Sequence, residues 1–141
     1  MNRLQIIPLK PEHASIAHYL RQADIDEIHA TTDLPVDMAV AYSIAGSDKG
    51  YTAILDNVPC AVFGIAQGII WLVGTDEITK HPVTFYKLSR KIFPVLTNGY
   101  DFLYNHVDTH NILSLRWLLW LGFHVEQNIN GLHFVWWRRK E

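Results

Sequence analysis

The chain has 141 residues, 49% of them apolar, and a formal net charge of −2 with the histidines neutral. This length and apolar fraction predict a single domain, residues 1–141, around one buried core. The small negative charge argues against a nucleic-acid partner held by phosphate neutralisation. No uncharged run approaches the roughly 20 residues of a membrane span, so we expect no membrane partner.

Cysteine use and the N-terminal segment indicate where the protein resides. Cys60 is the only cysteine and lies in the apolar run 60–63, so an internal disulfide is excluded. A buried free thiol is typical of the reducing cytosol. The apolar stretch 4–7 is too short for a secretion signal. We therefore expect a soluble, cytoplasmic protein.

The first third of the chain predicts one strand followed by two helices. Residues 4–7 form a short apolar run closed by a proline, and residues 12–23 place apolar side chains at helical spacing. Asp33 precedes a first-turn proline as an N-cap would, and Gly46 ends this second helix. Four side chains are predicted to line its buried face: Met38, Ala39, Tyr42 and Ala45.

From residue 51 the pattern changes to strands. Residues 51–55 and 60–66 are apolar runs separated by the turn sequence 56–59, which predicts a hairpin. Residues 69–73 lack polar alternation, as is typical of a central strand covered on both faces. A helix with a proline in its first turn is predicted over 81–96.

The C-terminal third continues the alternation of strands and helices. We predict a strand over 102–107, a helix over 112–121 ended by Gly122, and two last strands joined through Asn130 and Gly131. The predicted order is therefore β-α-α-β-β-β-α-β-α-β-β, an α/β (α+β) arrangement.

A family resemblance rests on the segment 111–123. Asn111 can cap the helix, Ser114 lets the helix approach a sheet closely, and Gly122 supplies a left-handed C-cap before Phe123. With Trp117 packing inward, this spacing resembles the C-terminal signature of GNAT-type N-acetyltransferases. The resemblance implies a GNAT-like mixed sheet of six to seven strands with helices on both faces.

A narrower resemblance covers residues 50–127. Its hairpin, the segment 71–76, the basic helix and the Asn111 segment are similar to a GNAT-like family carried by podophages, which includes internal virion proteins. This resemblance implies a phage-encoded protein of the host cytoplasm or of the virion.

The resemblance to GNAT enzymes also implies an activity, the transfer of acetyl from acetyl-CoA to an amine on a small molecule or a protein. In the family two central strands splay apart to form the cleft, and here these would be 69–73 and 102–107. Backbone N–H groups on the first of them would polarise the thioester carbonyl. The resemblance places five residues beside the cofactor: Leu72, Val73, Gly74, Asn111 and Ser114.

The chain departs from the family in two places. The stretch 75–82, where a glycine-rich turn normally binds the pyrophosphate, has no glycine and carries Asp76 and Glu77, which would repel a diphosphate. Three residues would replace part of the cradle: Thr79, Lys80 and His81. Leu118 occupies the position of the tyrosine that serves the family as general acid, and leucine cannot donate a proton.

Candidate acid–base residues lie near the ends of the splayed strands. Glu77 and His106 are the predicted general bases, with Asp108 and His110 beside them, and Tyr104 is the predicted acid, with Tyr86 as an alternative. Each is also consistent with an ordinary loop or core residue. Glu27 and His29 belong to the connection that usually covers the acceptor site.

Two other interpretations stay open. The spacing of His106, Asp108 and His110 suits a divalent metal, but a polar loop between a strand and a helix explains it more simply, and no metal site is predicted. Trp120 or Trp137 would form a patch for a protein partner. In this second hypothesis the scaffold has lost its cofactor site and acts as an interaction protein, as a virion component or a host-directed effector.

Overall fold

The central sheet is built around one parallel junction. In residues 3–127 and 131–140, the part of the chain that the computed structural model describes, seven strands form one sheet in the order β1-β2-β3-β4-β5-β7-β6. Neighbouring strands are antiparallel except β4 and β5, which are parallel. The strands are β1 (Leu4–Pro8), β2 (Lys49–Leu55), β3 (Val58–Ala66), β4 (Ile69–Gly74), β5 (Phe102–Asp108), β6 (His124–Glu126) and β7 (Leu132–Arg138).

Helices cover both faces of this sheet, in the predicted order. The four α-helices of the described residues are α1 (Gln22–Thr31), α2 (Val36–Gly46), α3 (Pro82–Leu96) and α4 (Ile112–Trp120). Two 3₁₀ helices precede α1 and α3, at Pro11–Tyr19 and Asp76–Lys80. Apolar side chains of the first 3₁₀ helix and of α2 form one core cluster, and those of α3 and α4 form the other.

The predicted first helix, 12–23, is wrong in its bounds. The chain forms a 3₁₀ helix to Tyr19, extends through Leu20 and Arg21, and only then begins α1. Leu20 forms an antiparallel bridge with Thr75, and the N–H of Arg21 donates to the carbonyl of Gly74 at 2.9 Å. These tertiary bonds outweigh the local helical periodicity of the segment.

The buried face of α2 also differs from the prediction. Val40 and Ile44 are buried one turn apart, whereas Met38 and Tyr42 are exposed. Pro35, not Asp33, occupies the N-cap position. The β-branched residues of this helix pack against the sheet, so the helix is rotated away from the predicted face.

The strands β4 and β5 splay apart as the family resemblance implies. Their ladder has a single registered pair, Ile69 with Tyr104. Beyond this pair the Asn105 side-chain amide donates to the Ile70 carbonyl at 2.7 Å. The carboxyl halves of the two strands therefore border an open cleft.

The two last strands pair with each other as predicted, and β7 also pairs with β5. Of the predicted turn, Gly131 has a φ of 78°, while Asn130 lies outside the described residues. Trp117 is buried in the core beneath the sheet, as its position in the segment 111–123 implies.

Candidate active site

One edge of β4 faces the cleft. Thr75 donates its N–H to Cys60 of β3, so alternation along the strand turns the backbone groups of Leu72 and Gly74 towards β5. At Gly74 both groups are bonded within the chain: the N–H donates to Asp24 Oδ2 at 2.9 Å, and the carbonyl accepts from Arg21. Leu72 lies between this bonded end and the ladder.

Gly74 also permits the sharp exit of the chain from β4. A Cβ atom at this position would lie 3.0 Å from Ile78 Cγ2 and 3.3 Å from the Cys60 carbonyl oxygen. The buried Ile78 side chain can therefore fold back onto the strand end, which sets the position of the second 3₁₀ helix.

A buried polar network joins the start of α1 to the start of α4. Arg21 donates to Asp24 Oδ2 at 3.1 Å and to Asn111 Oδ1 at 2.7 Å. The Asn111 amide donates to Asp24 Oδ1 at 3.0 Å and to Glu27 Oε2 at 3.2 Å. Arg21, Asp24 and Asn111 are 9%, 2% and 0% exposed. Charges this deeply buried are tolerated because each has a charged or hydrogen-bonded partner.

Glu27 is the ionisable group of this network that borders the cleft. Its Oε2 atom also accepts the backbone N–H of Asp108 at 3.0 Å, at the end of β5. Burial raises the pKa of Glu27 to about 7, and the charges of Asp24 and Asp108 add to the rise against the opposing hydrogen bonds. A carboxyl with this pKa exchanges its proton near neutral pH.

The space beside Glu27 is a pocket of about 400 Å³ between the sheet and the helices α1 and α2. Trp71, Leu72, Asn105 and His106 line it from the strands. The pocket continues into a narrow gap between β4 and β5. Glu27, Leu72 and residues of α4 line this gap. Glu27 therefore lies at the junction of the two spaces.

Two buried donors line this narrow gap. Ser114 and Trp117 are 4% and 1% exposed, and within residues 3–127 and 131–140 neither Ser114 Oγ nor Trp117 Nε1 has a hydrogen-bond partner. An unsatisfied buried polar group costs about 1–3 kcal/mol, so such groups call for an explanation. The gap has a volume of about 10 Å³, enough for no more than about one water molecule.

The predicted cofactor turn is a short 3₁₀ helix at the protein surface. Lys80 binds Glu77 at 2.8 Å, and this ion pair lowers the pKa of Glu77. The Thr79 hydroxyl donates to the Asp76 carbonyl, and His81 precedes the first turn of α3. Glu77 lies outside the lining of the pocket and of the gap, so the structure does not bring this predicted base to the cleft.

The other predicted acid–base residues have different surroundings. His106 lines the pocket, but its exposed ring lies against Phe134, with 5.2 Å between ring centroids. Tyr104 pairs with Ile69 at the closed end of the cleft and its ring stacks on Phe102. Of the three predicted catalytic residues, only His106 is therefore at the pocket.

The spaced residues His106, Asp108 and His110 run from the end of β5 into a local turn. Asp108 Oδ1 accepts the backbone N–H of His110 at 2.8 Å and lies 3.1 Å from His110 Nδ1. Among the described residues, no three His, Cys, Asp or Glu side chains come together as a metal ion would require.

The tryptophans of the predicted partner patch differ in exposure. Trp120 is 45% exposed and stacks on Tyr86, with 6.0 Å between ring centroids. Trp137 is partly buried against Phe93. A patch on this side of the molecule would therefore centre on Trp120.

The sequence predictions assign no role to Arg21 or Asp24, and they place Glu27 only in the connection that usually covers the acceptor site. The signal was present, because the three charged residues recur at intervals of three and so fall on one side of a helical turn. The predicted helix 12–23 hid this pattern, since it assigned Arg21 and the two acids to different elements.

The inner part of the cleft is narrow, with a volume of about 10 Å³. It presents the Leu72 backbone edge and two residues, Ser114 and Trp117, whose buried donors have no partner among the described residues. The outer part fits a coenzyme A diphosphate poorly, because the Gly74 backbone groups are already bonded and the surface turn carries two carboxylates beside Lys80.

Comparisons with known proteins bear on the fold. The PaiA N-acetyltransferase of Thermoplasma acidophilum, solved with coenzyme A, is similar with a TM-score of 0.64 and 12% identity over 97% of this chain and 99% of that one. The aminoglycoside acetyltransferase AAC(6')-Ib, also with coenzyme A, gives a TM-score of 0.61 and 16% identity over 97% and 95%. An acetyltransferase of Thermus thermophilus gives 0.63 and 15% over 99% of both.

No protein-family model and no curated protein sequence matches the chain. The structural similarities establish that the chain has the fold of the GNAT acetyltransferases. None of the helices within the described residues has the length and apolar character to cross a bilayer.

Proposed function

We propose that this chain is an N-acetyltransferase that transfers acetyl from acetyl-CoA to an amine. The observation that carries the proposal is the position of Glu27, a carboxyl at the open end of the cleft between β4 and β5 with its pKa raised to about 7. The fold supports the same assignment, since the solved proteins of this architecture include N-acetyltransferases with coenzyme A.

Glu27 is the general base in this proposal. An amine is mostly protonated at neutral pH and becomes a nucleophile only when it loses that proton. The bonds from Asp108 and Asn111 both end on Oε2, so Oε1 is the oxygen that takes the proton from the acceptor. Asn111 and Asp108 thus hold the carboxylate in one orientation towards the pocket.

The gap between the strands supplies the donors for the acyl group. An acyl group at the pocket end of the gap would meet the Leu72 N–H, which would polarise its carbonyl, and the Ser114 hydroxyl would stabilise negative charge as the bond to sulfur breaks. Acetyl-CoA, when bound, supplies the acetyl group as a thioester. Thr79, Lys80 and His81 remain the residues proposed for the diphosphate, in the absence of a glycine-rich turn.

The test uses matched carboxylate variants. We expect acetyl-CoA to bind with a dissociation constant in the micromolar range by calorimetry, and Glu27→Gln to keep that affinity while lowering kcat/KM by about 10²–10⁴-fold. Glu12→Gln, at an exposed glutamate of the first 3₁₀ helix, is the control and should leave kcat/KM unchanged. An equal loss in Glu77→Gln but not in Glu27→Gln would transfer the role to Glu77.

A second candidate function is favoured by the hydrogen bonds that already occupy the N–H and the carbonyl of Gly74. If Asp24 and Arg21 hold this strand edge permanently, the scaffold serves as an interaction protein, and the exposed Trp120 marks its partner surface. The narrower resemblance to podophage proteins suits a virion component or a host-directed effector. Absence of acetyl-CoA binding at millimolar ligand would favour this alternative over the enzyme.

A further inference from the structure

The charge of the pocket beneath α1 and α2 restricts what can enter it. Among its lining residues, all of them within the described part of the chain, Glu27 is the one carboxylate, and there is no lysine or arginine. A polycation such as an aminoglycoside would leave most of its charges without partners here, and an anionic ligand would meet a carboxylate. The pocket therefore suits a ligand with a single positive charge.

The walls of the pocket are mostly aromatic and apolar. Trp71 and Tyr42 lie on opposite elements, β4 and α2, and the apolar lining includes Leu34, Val40 and Ile69. The Trp71 indole is held in place, since its Nε1 donates to Ser47 Oγ at 2.8 Å. A volume of about 400 Å³ with such walls accommodates a small ring system. Aromatic rings beside a passage to a carboxylate also attract an ammonium group.

The pocket continues outwards at His106. The His106 ring lies 5.2 Å from that of Phe134, which begins a row of exposed and half-buried rings on the uncovered face of β5 and β7. The row consists of Phe134, Tyr104, Phe102 and Trp136. A flat substituent that projects from the pocket would therefore meet more aromatic surface, with the charged groups Glu126 and Arg138 only at the far end of the row.

We propose that this pocket binds a monoamine carried on an aromatic body, with the ammonium group towards Glu27 and the ring system between Trp71 and Tyr42. In the proposed reaction this amine is the acetyl acceptor, so the inference rests on the proposed function for its catalytic meaning. The binding step itself needs only the pocket.

The experiment measures binding without acetyl-CoA. Tryptamine, kanamycin and indole-3-propionate are titrated calorimetrically into the full chain as aromatic monoamine, polycation and aromatic anion. We expect tryptamine to bind at least about tenfold more tightly than the other two. Tyr42→Ala should weaken tryptamine binding by about tenfold, and Tyr19→Ala, at an exposed tyrosine outside the pocket, should not change it. Tyr42 is 60% exposed, so its removal spares the core.

Trp71→Leu is the second variant, with its fold checked by circular dichroism, and should weaken tryptamine binding at least as much as Tyr42→Ala. Tighter binding of kanamycin, no binding of tryptamine, or equal losses in Tyr42→Ala and Tyr19→Ala would overturn the inference. Tryptamine binding with no acetyl transfer to it once acetyl-CoA is added would leave the binding inference standing and overturn the acceptor role. Acetylation of kanamycin with no tryptamine binding would overturn the inference and leave the function standing.

Discussion

Glu27 of α1 accepts the backbone N–H of Asp108 at the end of β5, 3.0 Å away. The Glu27 carboxylate thus accepts the hydrogen bond that a carbonyl of a neighbouring strand would accept at this point of the sheet. On the facing strand Asp24 binds Gly74 in the same way. The two acids, one helical turn apart, therefore set the distance between the ends of the splayed strands.

The raised pKa of Glu27 predicts how stability depends on pH. The folded state holds this proton up to a pH of about 7, while the unfolded chain releases it near the ordinary glutamate pKa of 4.5, so stability falls as pH rises between these values. The full loss is about 3–4 kcal/mol, at about 1.4 kcal/mol per pKa unit. Urea unfolding of the wild type and Glu27→Gln at pH 4.5 and 8 measures it. Parallel pH profiles of the two proteins would contradict the prediction.

The same carboxyl predicts the pH dependence of catalysis. Below its pKa the protonated Glu27 cannot accept a proton, so kcat/KM should rise with pH and level off above about pH 7. The measurement is an acetyl-transfer assay between pH 5.5 and 9 with a saturating acetyl donor. A profile that does not bend near pH 7 would assign the base to another group.

Removing the cation of the buried network should be costly. Arg21→Met leaves Asp24 charged and 2% exposed without its ion-pair partner. We expect a loss of about 3–5 kcal/mol in the free energy of unfolding. Arg90→Met, on the exposed side of α3, is the matched control and should change stability by less than about 0.5 kcal/mol. Similar effects of the two substitutions would show that the network contributes nothing.

The substitution Ser114→Ala should weaken ligand binding without lowering stability. Its buried hydroxyl has no partner among the described residues, so Ser114→Ala loses no hydrogen bond within the chain and should leave stability within about 1 kcal/mol of the wild type. Binding of acetyl-CoA should weaken if the hydroxyl bonds to the cofactor. Thermal unfolding and calorimetry of one preparation measure both effects. Unchanged affinity would exclude Ser114 from the site.

Lys80 tests the placement of the diphosphate. Lys80→Glu breaks the ion pair with Glu77 and adds a third carboxylate to a turn that already has Asp76. We expect acetyl-CoA to bind about tenfold more weakly, with a larger effect at low salt. Calorimetric titration at two salt concentrations gives both values. An unchanged dissociation constant would place the diphosphate elsewhere.

The sequence could predict the order of elements because its signals are local. Proline, glycine and the change of apolar period mark most boundaries within a few residues of their positions. The first helix failed because Leu20 and Arg21 are extended by bonds to Thr75 and Gly74, some 50 residues away. No pattern within the segment 12–23 contains that information.

Of the candidate site, only the pair of strands that border the cleft could be predicted. The family resemblance placed the cleft between β4 and β5, and the structure has it there. The carboxyl in the cleft was assigned to Glu77 because the residue follows β4 directly. The structure brings Glu27 there instead, through a helix whose start depends on the bonds to Gly74.

The single ladder pair between Ile69 and Tyr104 has a consequence for how such a protein can evolve. Past that pair, the described bonds that span the cleft come from side chains such as Asn105, Asp24 and Glu27. Exchanging one of these for a side chain one methylene shorter or longer alters the cleft width, while the antiparallel ladders on both sides keep their register. The width of the cleft can therefore change by point substitution, without any insertion, deletion or change of topology.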